Sequence, residues 1–184
     1  MDPGKRTCKS AGATLVELLS TLAIVAVLAT LAAPSFHTLQ LDGRRTAAVN
    51  GFLHTLFLAR SESIKRAQIV SVCRSADGQR CNYGATDWRA GWIVFVNDDR
   101  DDPPERDAAE ELIVSASGWS GGSITSNRRA YSFRPATQGV VNGTIVFCDT
   151  RGPAHARAII ISHTGRPRVA HKGADGKPLR CPSG

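Results

Sequence analysis

An apolar run extends from Ala13 to Ala33, broken by one charge at Glu17 and closed by Pro34. At about 21 residues it has the length a helix needs to cross a bilayer. Beyond Pro34 the pattern becomes amphipathic. Val49, Phe52, Leu53, Leu56, Ala59 and Ser63 recur at three- and four-residue steps, which predicts a helix with one apolar or small face for packing. Arg44, Arg45, Arg60, Lys65 and Arg66 fall on the opposite face in this reading. The two patterns join as one long helix, kinked near Pro34 and loosened at Gly43 and Gly51. Seven β-type segments follow, at 68–73, 91–96, 112–116, 129–134, 143–148, 157–162 and 167–170. Turn residues separate them, so antiparallel pairing is expected. The expected architecture is α+β: a long N-terminal helix, transmembrane then amphipathic, packed on an antiparallel β-sheet domain.

These patterns divide the 184 residues into a basic leader (1–12), a transmembrane half-helix (13–33), an amphipathic half-helix (34–67) and a β domain with a basic tail (68–184). About 140 residues remain for the soluble part, ample for one core. The leader sets Lys5, Arg6 and Lys9 against Asp2 and so supplies about +2 of the formal +7. By the positive-inside rule the leader stays cytoplasmic and the body lies outside. Of the five cysteines, Cys8 belongs to the leader; Cys73, Cys81, Cys148 and Cys181 form an even set, as expected in an oxidising periplasm. Three pairings are possible. Cys73–Cys81 with Cys148–Cys181 is preferred, because the first pair is near in sequence and the second would pin down the tail. Zinc is the competing reading, but the spacings contain no C-x-x-C knuckle.

A secretory signal peptide carries its small-residue cleavage site after the apolar core. Here Gly12 stands before it, so cutting there leaves the apolar segment on the mature chain. The stretch Gly12-Ala13-Thr14-Leu15-Val16-Glu17 resembles the class III signal of type IV prepilins and pseudopilins, in which a peptidase cuts after glycine and glutamate occupies the fifth mature position. That resemblance implies cleavage after Gly12 by a prepilin peptidase and methylation at Ala13, where the family usually has phenylalanine. A charge inside a membrane segment costs roughly 2.5–3.5 kcal/mol on translocon scales, which makes Glu17 a functional candidate in its own right. Its natural partner is an amine, and the new terminus of a neighbouring subunit supplies one in an assembling filament. The competing reading is an ordinary anchor whose Glu17 snorkels.

Three further stretches narrow the resemblance. They are Ala59–Arg66 with the strand ending at Cys73; Trp88 with Gly91-Trp92-Ile93-Val94-Phe95-Val96-Asn97-Asp98; and Phe147-Cys148-Asp149 with Arg151-Gly152, leading through Ala156–Ser162 to Thr164-Gly165-Arg166-Pro167-Arg168-Val169. Together they resemble the FimT/GspH group of minor pilins and pseudopilins, and the third favours the FimT-like branch, whose C-terminal G-R-x-R element is implicated in binding DNA during uptake. The resemblance implies an inner-membrane, single-pass subunit with a periplasmic C-terminal domain. That subunit would then be built into a surface pilus beside other pilin subunits.

Charge adds to this picture. Between Arg151 and Arg180 stand Arg151, Arg157, Arg166, Arg168, Lys172, Lys177 and Arg180 against Asp175 alone, a balance of about +6. Such clustering is the electrostatic footprint of a nucleic-acid surface. Arg166 and Arg168 are two apart on an extended segment, which points them to one face, and Pro167 biases Arg166 toward extended backbone. Aromatic residues are scarce in the tail, so double-stranded DNA held through its phosphates is favoured over stacked single strands. A Cys148–Cys181 bridge would close a loop of about 34 residues, worth roughly 3–4 kcal/mol in the chain-entropy model. Arg128 and Arg129 form a second basic pair before a strand and are candidates for the border of the same surface. The competing reading for all of these is a solvated face or a filament contact, with the chain a purely structural pseudopilin of type II secretion or a pilus-priming subunit.

The remaining features point to no chemistry. The acidic stretch at 97–105 lacks the glycine and distal glutamate of an EF-hand and reads as a solvated hairpin loop. Trp88, Trp92 and Trp119 read as core. Asp149, His155, Ser162 and His163 come without a nucleophile elbow. There is no phosphate loop and no paired catalytic carboxylates, so no enzyme activity, cofactor or metal is expected.

Overall fold

The computed structural model describes Gly12 and residues 14–84, 87–135 and 142–182. The leader residues 1–11 and Ala13, the expected methylation position, lie outside the described residues, as do the side chains of 31–34. Two compact units meet between Gln40 and Leu41. One helix, α1 (Leu15–Arg66), runs through both.

In the first unit the helix begins with a capping box. Glu17 N–H donates to Thr14 Oγ1 at 3.3 Å, while Thr14 N–H faces Glu17 Oε2 at 3.5 Å. The hydroxyls of Ser20, Thr21 and Thr30 donate to the carbonyls three residues back, which satisfies these polar groups within the helix. Leu15, Val16, Leu18, Leu19, Leu22, Ile24, Val25, Val27 and Leu28 are all exposed. Among the described residues no single helix is long and apolar enough to cross a membrane; Leu15–Thr30 and Ser35–Arg66 pass together by length and composition.

In the second unit α1 buries Val49, Phe52, Leu56, Ala59 and Ser63, the face its periodicity predicts, with Leu53 half-buried beside them. Arg45 corrects that reading. It lies one helical turn before Val49 on the packed face and is 3 % exposed. Its charge is accommodated there because Asp42 and Asp149 meet it. The helix continues unbroken through Gly43 and Gly51.

Eight strands follow among the described residues: β1 (Val70–Arg74), β2 (Gly91–Val96), β3 (Leu112–Ser117), β4 (Gly122–Ser126), β5 (Ala130–Phe133), β6 (Gly143–Asp149), β7 (Arg157–Ile161) and β8 (Pro167–Ala170). They divide between two four-stranded sheets, β3-β2-β1-β5 and β4-β6-β7-β8, antiparallel throughout. The fold is therefore α+β. The inner faces share one core with α1, in which Phe52 contacts Trp88, Trp92 and Phe147 at centroid distances of 5.4, 4.6 and 6.0 Å. Trp119 is half-buried at its margin.

Each sheet also needs cover on its outer face, and each disulfide supplies it. Cys73, Ile93 and Phe95 on the first sheet are covered by a loop bearing Cys81 and Tyr83, closed by the Cys73–Cys81 bridge. Cys148 and Ala158 on the second sheet are covered by the C-terminal tail. Leu179 is 5 % exposed among them, and Cys181 bonds Cys148. The four cysteines thus pair as Cys73–Cys81 and Cys148–Cys181.

Candidate nucleic-acid interface

β7 and β8 form a hairpin at the edge of the second sheet. Gly165 N–H donates to the Ser162 carbonyl at 2.8 Å, and Ser162 N–H donates to the Arg166 carbonyl at 3.2 Å. This closes a tight turn that ends in a left-handed residue, which Gly165 supplies at φ 73°. Gly165 and Pro167 are buried, while Arg166 and Arg168 are both exposed. Buried and exposed positions thus alternate from Gly165 to Arg168, and Val169 after them is exposed as well. Arg168 stands opposite Ile160 in the ladder.

The tail then turns back on itself through a Lys172–Pro178 bridge, with Gly173 N–H donating to the Lys177 carbonyl at 2.9 Å. Lys172, Lys177 and Arg180 are exposed. Lys177 Nζ lies 3.7 Å from Asp175. Among the described residues the side chains of Arg166, Arg168, Lys172 and Arg180 meet no carboxylate. Leu179 and the Cys148–Cys181 bridge anchor this segment, so its charges sit on an ordered surface rather than a free tail.

Two members of the expected cluster belong elsewhere. Arg151 pairs with Asp149 at 2.6 Å and Asp42 at 2.8 Å, and these hydrogen-bonded carboxylates raise its pKa. Arg157 donates to the Ala156 carbonyl at 2.9 Å, and burial lowers its pKa. The basic balance read along the sequence is thus smaller in space, because Asp149 and Asp42 are folded against Arg151. Arg128 and Arg129 sit between β4 and β5. β4 and β8 are opposite edges of one sheet, roughly 14 Å apart at three strand spacings, so this pair is not on the β8 edge. Arg128 donates to Asn142 Oδ1 and to its carbonyl, both at 3.0 Å.

The acidic stretch after β2 is internally bonded. Asn97 Nδ2 donates to Asp101 Oδ1 at 2.9 Å, Asp101 Oδ2 accepts Glu105 N–H at 2.7 Å, and the buried Glu110 accepts Asp98 N–H at 2.7 Å. Among the described residues no group of three or more His, Cys, Asp or Glu side chains is placed to hold a metal.

Residues 48–165 match the family described as Type II transport protein GspH, and the chain belongs to that family. The match ends at Gly165, one residue before Arg166, and does not extend over the tail. Two crystal forms of the type IV minor pilin FimU of Pseudomonas aeruginosa are similar in structure. One is 15 % identical, with TM-score 0.49 over 68 % of this chain and 91 % of that one. The other is 17 % identical, with TM-score 0.48 over 74 % and 93 %. A comparison with curated protein sequences finds no match.

Proposed function

We propose that this chain is a minor pilin that is cleaved after Gly12, anchored in the inner membrane by its N-terminal helix and built into a type IV pilus. There its β7–β8 hairpin and tail bind double-stranded DNA for uptake. The observation that carries the DNA assignment is the set Arg166, Arg168, Lys172 and Arg180, exposed and without carboxylate partners among the described residues, on a disulfide-anchored edge. Phosphate contacts give sequence-independent affinity, which uptake requires. Arginine forks on neighbouring exposed positions suit phosphate oxygens. Anchoring lowers the ordering cost of binding. In the filament, Glu17 receives the amino terminus of a neighbouring subunit; the capping box leaves its carboxylate at the N-terminal end of the helix, where that amine arrives.

A second reading, a structural pseudopilin of type II secretion, is favoured by the description of the matched family. On that reading Arg166 and Arg168 guard the free edge of β8 against pairing with another strand. Fluorescence anisotropy with labelled duplex DNA and the full chain in detergent separates the two. The DNA reading expects saturable binding that the Arg166→Ala/Arg168→Ala variant weakens at least tenfold. Equal binding by wild type and variant removes it and leaves the structural reading.

A further inference from the structure

Arg74 ends β1 opposite Trp92 and is 6 % exposed. Its guanidinium lies over the Trp88 ring, 5.9 Å from the centroid. Among the described residues it makes no side-chain hydrogen bond and no direct ion pair, although Tyr83 and Asp87 act on it electrostatically. Its Nε is fully enclosed without an acceptor, and so is the indole N–H of Trp88 beside it. Native folds rarely leave a buried donor unmet, and here one belongs to the guanidinium and one to the indole beneath it.

The sheet places a second cation next to it. Cys73 pairs with Ala130 between β1 and β5, so the next step of the register brings Arg129 opposite Arg74. Like charges directly opposite each other repel. Arg129 is exposed, and no carboxylate meets it among the described residues. Asp87, the carboxylate facing Arg74, uses Oδ1 to accept the N–H groups of Arg89 and Ile124 at 2.7 and 2.9 Å. Burial lowers the Arg74 pKa and the charge of Arg129 adds to the effect, while Tyr83 and Asp87 oppose it. Folding thus sets a buried and an exposed guanidinium side by side, with no ion pair to either among the described residues, and one oxyanion would bridge the two charges.

We propose that Arg74 and Arg129 form a binding site for a phosphate-type oxyanion. Two guanidinium forks match a tetrahedral, multiply charged anion better than a single carboxylate, because they offer more donors than two oxygens accept. The site lies on the first sheet and is independent of the β8 surface. Its occupant is either free phosphate or a phosphate monoester at a nucleic-acid end; both are multiply charged and present at least three terminal oxygens.

The test titrates the full chain in detergent with inorganic phosphate against sodium chloride at matched ionic strength, reading tryptophan fluorescence and Tm. Phosphate is expected to give a saturable fluorescence change and a higher Tm. Arg129→Gln, an exposed substitution that leaves the fold intact, is expected to weaken the response about tenfold to a hundredfold, the loss of one charge-assisted hydrogen bond. Arg74→Met is expected to abolish the response and to raise the Tm of the phosphate-free chain, because an apolar side chain replaces an unpaired buried cation. In the Arg166→Ala/Arg168→Ala background, competition between phosphate and a 5′-phosphorylated duplex, but not the unphosphorylated duplex, identifies a monoester end as the occupant, and its absence identifies free phosphate. No saturable response in the wild type, or an unchanged response in Arg129→Gln, overturns the site.

Discussion

Arg45 on the helix and Asp149 at the end of β6 form an ion pair at 3.3 Å across 104 residues of sequence, with side chains 3 % and 1 % exposed. Asp42 and Arg151 complete the cluster, with Arg45–Asp42 at 2.7 Å and Arg151–Asp149 at 2.6 Å. This network ties the amphipathic half-helix to the sheet that carries the β7–β8 hairpin.

Breaking that network is costly because it strands a buried charge. Asp149→Asn is expected to destabilise the chain by about 3–5 kcal/mol in urea unfolding, the usual loss when one partner of a buried pair is removed. Lys177→Ala, which removes only the exposed pair with Asp175, is expected to change stability by less than about 0.5 kcal/mol.

The same cluster sets a pH dependence. Burial pushes the Asp149 carboxyl up, but hydrogen bonds from Arg151 and the charges of Arg151 and Arg45 outweigh it, so its pKa falls below the ordinary 3.8. The hydrogen bond from Arg151 also lowers Asp42. In the disulfide loop, the N–H groups of Arg80 and Gln79 and the Ser75 hydroxyl hold Asp77 at about 2. All three are depressed in the folded state, so their stabilisation is complete above 3.8 and is lost as pH falls through the folded values. Tm is expected to be flat from pH 7 to about 5 and to drop below about 4. Asp149→Asn is expected to flatten that drop.

Tail anchoring links stability to binding. Cys148→Ser/Cys181→Ser is expected to cost roughly 3–4 kcal/mol by unfolding. It is also expected to weaken DNA binding with no change in net charge, because the tail must then be ordered on binding. Leu179→Ala, which leaves the bridge in place, tests the same contact by a different route and is expected to cost about 2–4 kcal/mol.

Gly165→Ala probes the hairpin directly. A β-carbon at φ 73° costs roughly 1–2 kcal/mol, so the variant is expected to lower Tm. DNA affinity is expected to fall although no charge is removed, because the turn sets the direction of Arg166 and Arg168.

Much of this arrangement was legible from periodicity. The buried stripe from Val49 to Ser63 follows a helical period, and β2 and β8 fall where apolar and turn residues place them. The disulfide pairing follows from sequence proximity and the need to hold the tail. β4 was not legible: Gly122-Ser123-Ile124-Thr125-Ser126 has one large apolar residue and reads as a loop, and only its pairing with β6 and the complete burial of Ile124 make it a strand. The division into two sheets is likewise set by long-range pairing, which local pattern does not encode. Arg45 and Arg151 escaped because charge is normally a mark of the surface, and their counterions Asp42 and Asp149 converge only in space. Arg74 escaped as well: the segment expected at 68–73 stops one residue short of it, whereas the strand runs from Val70 to Arg74.

The salt dependence of DNA binding tests the central claim most directly. With wild type and Arg166→Ala/Arg168→Ala measured between about 50 and 200 mM salt, each lost phosphate contact lowers the slope of log K against log salt by about 0.9. The variant slope is expected to be shallower by about 1.8. Parallel lines with equal slopes would contradict the assignment of the β8 arginines to the DNA backbone.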